Sequence, residues 1–390
     1  MELIYLDNAA TTRTDERVVE AMLPYFTQYY GNASTIYALG EESRKAVTRA
    51  RDIIAAGIGA KPEEIYFTAG GSESDNWALK ATAEAYKEKG KHIITSKIEH
   101  HAILHTCEWL ERQGFEVTYL DVDENGRINP ADVEAAIRPD TILISIMFAN
   151  NEIGTIEPIA EIGAIAKAHG VLFHTDAVQA FGQEPIQVDE MNIDMLSSSG
   201  HKLNGPKGIG FLYIRKGVKI RSFVHGGAQE RKRRAGTENV PGIVGFGKAA
   251  ELAFASMRTA RERELRDYMI SRFEKEIPYV KINGDREHRL ANNVNACFRF
   301  VEGESMLIML DMKGICASSG SACTSGSLDP SHVLLAIGLP HEIAHGSLRL
   351  TLGADTTKEQ IDTTVDAIKE IVAHLRSMSP LYEDFVKNQQ

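Results

Sequence analysis

The chain has 390 residues, of which 43% are hydrophobic and 25% charged, a composition typical of a globular protein with two or three domains. Its net charge of -11 at pH 7 argues against partners such as nucleic acid or anionic membranes. The best apolar run, at 142–149, has the length of a strand and is too short to cross a bilayer. Four cysteines without a recognisable secretion signal lead us to expect free thiols and a cytoplasmic location.

The region from about residue 63 to 217 alternates between strand-like and helix-like patterns. Strands are predicted at 63–70, 91–96, 115–122, 141–148, 171–176, 194–200 and 208–217. Helices are predicted at 72–90, at 102–114, for a short stretch from 129, and at 157–170. This alternation predicts a largely parallel sheet covered by helices on both faces.

The pattern changes after about residue 255. Helices are predicted there at 258–277, 303–313 and 358–376, and strands at 292–300 and 346–353. Elements that no longer alternate regularly indicate a second, α+β domain in the last third of the chain. The final segment, 379–390, has the pattern of a tail.

Small residues follow the strand predicted at 63–70. Gly70, Gly71 and Ser72 stand where the next helix begins, and they would leave backbone N–H groups bare at the positive end of that helix. Such a turn is suited to holding a phosphate. Taken alone, it is more often a plain glycine-rich turn with a serine cap.

Further polar residues follow the other predicted strands, at the sheet edge where open α/β folds bind their ligands. They are Asn150, Asn151, Asp176, Gln179, Ser199, His201, Lys202 and His100. Each alone has an ordinary interpretation as a helix cap, a solvated lysine or a structural histidine. Together they match the needs of pyridoxal phosphate: a lysine for the Schiff base, an acid for the pyridine nitrogen, phosphate donors and a flat ring for stacking.

Ten motifs in chain order extend this pattern over nearly the whole chain. They are LDNAATT (6–12), GN (31–32), FTAGGSESDN (67–76), EHHA (99–102), NNEIG (150–154), TDAVQ (175–179), SGHKLNGPKGIG (199–210), RAGTEN (234–239), SSGSACTSGS (318–327) and SLRLTLG (347–353). Together they resemble the cysteine desulfurases of the NifS/IscS type, class V aminotransferase-like enzymes of pyridoxal phosphate fold type I. The SSGSAC loop resembles that group more than the SufS-like group.

The resemblance implies a fold of two domains. The larger, 15–256, would hold the cofactor on a mostly parallel, seven-stranded sheet between helices. The smaller, an α+β domain, would combine 1–14 with 257–390 and carry a mobile cysteine loop at about 318–330. One segment departs from the family pattern: GNASTIY at 31–37 has Ala33, Thr35 and Tyr37 in place of proline, serine and histidine.

The resemblance also implies a role for each site residue. Lys202 would form the Schiff base, Asp176 would pair with the pyridine nitrogen, Gln179 would bond the ring oxygen, and His100 would stack on the ring and transfer protons. Gly71, Ser72, Ser199 and His201 would hold the phosphate, with Thr237 reaching in from the second subunit of a homodimer. Asn151 would contact cofactor and substrate, Arg349 would grip the substrate carboxylate, and Cys323 would accept the sulfur.

The implied reaction removes sulfur from L-cysteine, giving L-alanine and a Cys323 persulfide that an iron–sulfur scaffold protein accepts. Two other interpretations remain open. One is a selenocysteine lyase or another class V enzyme, and the other is a non-catalytic sulfur relay. We expect no resident metal, although Cys323 has the chemistry to ligate a transferred iron–sulfur cluster transiently.

The segment CASSGSACTSGS, 316–327, places two cysteines among serines and glycines. A linker with an incidental thiol, a metal clip and a mobile nucleophile all fit this composition. The C-x6-C spacing is not a usual zinc spacing, which argues against the clip. We expect Cys316 to be a buried structural thiol and Cys323 to be the nucleophile. Neither Cys107, in a predicted helix, nor Cys297, in a predicted strand, suggests catalysis.

Overall fold

The computed structural model describes residues 3–256, 258–319 and 330–388. Its helices are α1 Glu16–Met22, α2 Pro24–Thr27, α3 Ala38–Gly57, α4 Gly71–Tyr86, α5 His101–Arg112, α6 Pro130–Ala136, α7 Ile159–Ala168, α8 Gln229–Lys232, α9 Val240–Ala255, α10 Arg258–Glu276, α11 Gly303–Asp311, α12 His332–Ala336, α13 His341–Ala344, α14 Lys358–Ser377 and α15 Pro380–Lys387. Its strands are β1 Ile4–Tyr5, β2 Ile65–Thr68, β3 His92–Ser96, β4 Glu116–Leu120, β5 Thr141–Ser145, β6 Leu172–Asp176, β7 Met195–Ser199, β8 Gly210–Ile214, β9 Val280–Ile282, β10 Asn293–Phe298, β11 Ile315–Cys316 and β12 Ser347–Thr351.

The central sheet has seven strands in the order β2-β8-β7-β6-β5-β3-β4. Strand β8 is antiparallel to both of its neighbours, whereas β7, β6, β5, β3 and β4 pair in parallel. The predicted mostly parallel, seven-stranded sheet is therefore confirmed. Because the five parallel strands end at one edge, the loops that follow them meet there.

Alternation along the strands divides the sheet residues between two hydrophobic cores. Successive side chains of a strand point to opposite faces, so neighbours in sequence pack on different sides. Phe67 belongs to one core and Tyr66 to the other, and Leu196 and Met195 divide in the same way. Both cores consist of fully or nearly fully buried residues, which explains why these strands are apolar on both faces.

A third hydrophobic core joins the start of the chain to its last third. Ile4 and Leu6 pack with buried residues of α10, β10, β12 and α14. Strand β1 pairs in parallel with β11, and a separate three-stranded sheet has the order β12-β10-β9. The N-terminal segment is thereby fixed next to residues more than 300 positions away in sequence.

Two predicted elements differ from the structure. Strand β5 ends at Ser145, not at 148, although Phe148 N–H still donates to the Asp176 carbonyl at 2.8 Å. The predicted tail is wrong for 380–387, because this segment forms α15. Its Phe385 stacks 4.8 Å from Phe300 in a cluster that also holds the Arg299 guanidinium 5.4 Å from the Phe385 ring. Aromatic and cation–π contacts hold α15 against the rest of the protein. The many polar residues of this segment did not indicate such packing.

The cysteines within the described residues are unpaired. Cys107 and Cys297 are fully buried, as expected of structural thiols. Cys316 lies on β11 and is only half-buried, so the predicted burial of this thiol is wrong. Across the described parts of the chain, no helix combines the length and apolarity that a membrane span requires.

Candidate active site

A cavity of about 450 Å³ lies at the edge of the sheet where the parallel strands end. Ten of the residues singled out in the sequence line it: Gly71, Ser72, His100, Asn151, Asp176, Gln179, Ser199, His201, Lys202 and Arg349. They come from six different segments of the chain, which the topology of the sheet brings together. The cavity is larger than a single amino acid requires.

Lys202 enters the cavity from a single 3-10 turn, Gly200–Lys202, directly after β7. Its ammonium donates hydrogen bonds to the carbonyl oxygens of Ala9 and Ala10, the latter at 2.8 Å. These acceptors belong to the LDNAATT motif. The N-terminal segment therefore fixes the direction in which Lys202 points.

Asp176 is the last residue of β6, and 6% of its surface is exposed. Its carboxylate accepts a hydrogen bond of 2.9 Å from the Val178 N–H. Burial raises the pKa of Asp176 to about 6, although the Val178 N–H and the positive charge of Lys202 act in the opposite direction. Gln179, one turn further on, donates to the Ala9 carbonyl at 3.1 Å.

His100 caps the N-terminus of α5, where its Nδ1 accepts the Ala102 N–H at 3.1 Å. An Nδ1 that accepts carries no proton, so in the neutral ring the proton is on Nε2. Burial and, to a smaller extent, the positive charge of Lys202 together lower the pKa of His100 to about 4. His100 is therefore a neutral ring with one N–H donor at physiological pH.

The start of α4 forms a concave wall built from glycines. Gly70 adopts φ = 153°, and a Cβ on Gly71 would lie 2.7 Å from Cγ2 of Val178. Side chains are thus excluded here, and backbone N–H groups at a helix N-terminus remain accessible from the cavity. Ser199 lies opposite, and His201 is held by a 3.1 Å hydrogen bond between its Nδ1 and the Thr11 hydroxyl.

Arg349, on β12, reaches the cavity from the C-terminal part of the chain and is 4% exposed. One of its terminal nitrogens donates to Asp7 at 2.9 Å and the other to the Asn151 carbonyl at 3.3 Å. Its main chain forms an isolated antiparallel β-bridge with Ser318. Asp7 belongs to the LDNAATT motif, but the motif alone does not indicate a role for its carboxylate. Its role depends on the contact with Arg349, which lies 342 positions away in sequence.

The structure does not place two of the predicted site residues at this cavity, for different reasons. Thr237 is exposed and does not line it. Cys323 lies outside the described residues, and with it most of the predicted cysteine loop at about 318–330.

The comparison with known proteins agrees over almost the whole chain. Residues 4–364 match the family model of class V aminotransferases. The cysteine desulfurase IscS of Methanosarcina thermophila is 61% identical over 380 residues, which are 97% of this chain and 94% of that protein. This chain belongs to the cysteine desulfurases. Members of that class V family are pyridoxal phosphate enzymes, and this is the cofactor of the present enzyme.

Solved structures give the same result for the fold of this desulfurase. A NifS-like protein superposes with a TM-score of 0.90 at 38% identity, over 96% of this chain and 100% of that chain. A structure of SspA in complex with cysteine has a TM-score of 0.82 at 41% identity, over 91% of this chain and 100% of the other. The expected fold type I and the expected enzyme class are confirmed.

The residues of the cavity fit pyridoxal phosphate. A buried carboxylate oriented by a backbone N–H matches the pyridine nitrogen, and a glycine-walled helix N-terminus matches the phosphate. A lysine at the same cavity matches the aldehyde carbon. All of these groups belong to one chain.

Proposed function

We propose that this desulfurase takes sulfur from L-cysteine, releases L-alanine and leaves the sulfur as a persulfide on Cys323. The observation that carries the proposal is the convergence of Lys202, Asp176, His100 and Arg349 on one cavity. Selenocysteine lyase activity is the alternative. It uses the same cavity but leaves Cys323 dispensable for turnover.

Pyridoxal phosphate, when bound, supplies an electron sink that makes the substrate Cα acidic and the Cβ–sulfur bond weak. Asp176 would pair with its pyridine nitrogen, and Gln179 would donate to its ring oxygen. Gly71, Ser72, Ser199 and His201 would hold its phosphate, with Asn151 at the ring. The support is the position of these residues around the cavity.

Lys202 would hold the cofactor between turnovers and then move a proton at the substrate Cα. Its amine donates hydrogen bonds to the carbonyl oxygens of Ala9 and Ala10. They keep the amine at a fixed place once it leaves the cofactor. A positioned amine next to Cα has the geometry of a general acid–base group.

His100 would lie at the sulfur end of the reaction, where the N–H of its neutral ring would donate a hydrogen bond to the sulfur. With Nδ1 engaged by the Ala102 N–H, Nε2–H is the donor of the neutral ring. Its pKa of about 4 means that the ring does not bring a positive charge near Lys202. The neutral ring is also flat and apolar enough to stack on an aromatic cofactor.

Arg349 would orient the carboxylate of the substrate. One of its nitrogens already donates to Asp7, and hydrogen bonds to Asp7 and to the Asn151 carbonyl orient the guanidinium. The substrate carboxylate would bind at the N–H donors that remain. Preorganisation of this kind reduces the entropy that is lost when the substrate binds.

The outer sulfur of the Cys323 persulfide would then pass to an iron–sulfur scaffold protein in the cytoplasm. We further propose a homodimer in which Thr237 of one subunit serves the phosphate site of the other. Thr237 is exposed and does not line the cavity of its own chain, which supports this arrangement.

The test is the Cys323→Ala variant, with Cys316→Ala as its matched thiol control. We expect Cys323→Ala to retain the bound, yellow cofactor and to lose L-alanine formation from L-cysteine by at least about a hundredfold, because the acceptor of the sulfur is gone. Cys316→Ala keeps its turnover. If Cys323→Ala still releases L-alanine at the normal rate, the persulfide route is wrong and the lyase alternative is favoured.

A further inference from the structure

A second carboxylic acid, Asp75, shares the cavity with Asp176 and has no part in the chemistry described so far. It is on the second turn of α4, lines the same cavity and is 1% exposed. Its Oδ1 has no hydrogen-bond partner within the described residues. An unpaired charge in such a place would cost several kcal/mol, so the protonation state of Asp75 needs an explanation.

The nearest basic side chain to Asp75 supplies no positive charge. His174 Nε2 lies 3.8 Å from Asp75 Oδ1, but both ring nitrogens already bond serine hydroxyls, Nδ1 to Ser145 at 2.8 Å and Nε2 to Ser197 at 2.9 Å. Complete burial lowers the pKa of His174 to about 3. The imidazole of His174 is therefore neutral. It hydrogen-bonds the two serine hydroxyls and does not balance a negative charge on Asp75.

The charged groups that act on Asp75 are of its own sign. The carboxyls of Asp176 and Glu99 both raise its pKa, and burial raises it more than either. The Ser197 hydroxyl favours the ionised form but does not outweigh burial. Two carboxyls that interact in a low-dielectric site do not both ionise readily, so one of the pair keeps a proton.

The surroundings decide which of the two carboxyls is ionised. Asp176 accepts the Val178 N–H and feels the positive charge of Lys202, and both favour its anion. Asp75 has neither a backbone donor nor a cation of this kind. The negative charge therefore belongs on Asp176 and the proton on Asp75.

We propose that Asp75 is a positioning residue, a neutral carboxylic acid that leaves Asp176 as the ionised member of the pair and keeps water from its rear face. The proposal rests on the proposed role of Asp176 as the partner of the pyridine nitrogen. A protonated cofactor nitrogen needs a carboxylate, and a second anion behind it would draw the proton away from the ring. Asp75 acts through Asp176 and does not itself touch the ring.

The first test is infrared spectroscopy of the holoenzyme at neutral pH. We expect the difference spectrum of wild type minus Asp75→Asn to contain the carbonyl stretch of one protonated carboxylic acid, because the bands of other buried acids such as Glu157 are present in both proteins and cancel. Thr82→Val is the matched control, because it removes a buried hydroxyl two turns further along α4 and leaves the site intact. If Asp75→Asn removes only carboxylate bands, Asp75 is ionised and the proposal is overturned.

The second test compares a neutral mimic with a truncation. We expect Asp75→Ala to lower kcat about tenfold with little change in KM, because Asp176 loses its support and gains water. Asp75→Asn, which keeps the shape and the neutral charge, should restore kcat to within about threefold of the wild type. An Asp75→Asn enzyme as impaired as Asp75→Ala would contradict a neutral Asp75.

The two proposals fail in different ways. The infrared band reports the proton on Asp75 whether or not Asp176 contacts the pyridine nitrogen. If the role of Asp176 is wrong, Asp176→Asn keeps the normal pH dependence of the cofactor absorption while the Asp75 band persists. If only the role of Asp75 is wrong, the band is absent and Asp176→Asn still alters that pH dependence.

Discussion

The amine of Lys202 is positioned by acceptors that lie more than 190 residues away in sequence. The Ala9 and Ala10 carbonyls hold the Nζ group, and the Ala9 carbonyl also accepts from Gln179. One short N-terminal segment thereby orders two residues proposed to contact the cofactor. Substitutions that shift this backbone should disturb the site without changing a polar side chain in it.

Replacing Lys202 by alanine should remove the visible absorption band of the lysine-linked cofactor. The reason is that alanine has no amine to bond the aldehyde carbon, whereas the phosphate contacts remain. Absorption spectra of the purified variant, before and after addition of pyridoxal phosphate, give the measurement. Lys219→Ala is the control, since Lys219 is exposed and does not line the cavity. A normal band in Lys202→Ala would show that another lysine holds the cofactor.

The segment between β5 and α7 carries functional and structural polar groups side by side. Asn150 is fully buried and accepts the N–H groups of Glu152 and Ile153, so its role is to shape the turn that presents Asn151. Glu157, at the end of the same segment, accepts the Ile128 N–H at 2.8 Å and is 3% exposed. Its second oxygen has no hydrogen-bond partner within the described residues.

Glu157 should make the stability of the fold depend on pH. Burial raises the pKa of Glu157 to about 8 from an ordinary value of 4.5, so the folded protein binds a proton that the unfolded chain releases. This contribution to the free energy of unfolding is present below about pH 4.5 and is lost as the pH rises through about 8. Over that range of about 3.5 pH units we expect a loss of about 5 kcal/mol from this group, at about 1.4 kcal/mol per unit.

Urea unfolding at about pH 5 and about pH 8.5 measures this slope. Glu157→Gln, which is neutral at both values, should reduce the change in the free energy of unfolding between them by about 4 kcal/mol. Glu190→Gln, an exposed carboxyl, should leave it unchanged. Identical slopes for wild type and Glu157→Gln would mean that Glu157 is ionised in the folded state.

At the scale of the whole molecule, large apolar side chains are exposed around α2 and the start of α3. Phe26 is 58% exposed, Tyr30 69% and Ile36 99%. An apolar surface of this kind commonly marks a contact with another protein chain. It agrees with the proposed homodimer, and we further propose that residues 15–256 form the larger domain and 1–14 with 257–390 the smaller.

Charges placed on this surface should separate the subunits. We expect wild-type protein to sediment with twice the chain mass of 43.0 kDa, and the double variant Phe26→Asp, Ile36→Asp to sediment as a single chain. The separated chains should also retain less cofactor, because Thr237 would no longer serve the partner. Met312→Asp, which charges an exposed apolar residue directly after α11, is the control. Full cofactor retention in a monomeric variant would exclude the proposed role of Thr237.

The sequence by itself determined the alternation of strands and helices, the residues at the strand ends and the family. These follow from local periodicity and from short motifs, in which neighbouring residues carry the information. The ends of β5 and the helix α15 were missed because tertiary contacts override local pattern at such places. Asp7 beside Arg349, the carbonyls that hold Lys202 and the pair of Asp75 with Asp176 were decided only by the tertiary structure. Each joins residues far apart in the chain, and the protonation of the pair depends on burial, which no local segment specifies.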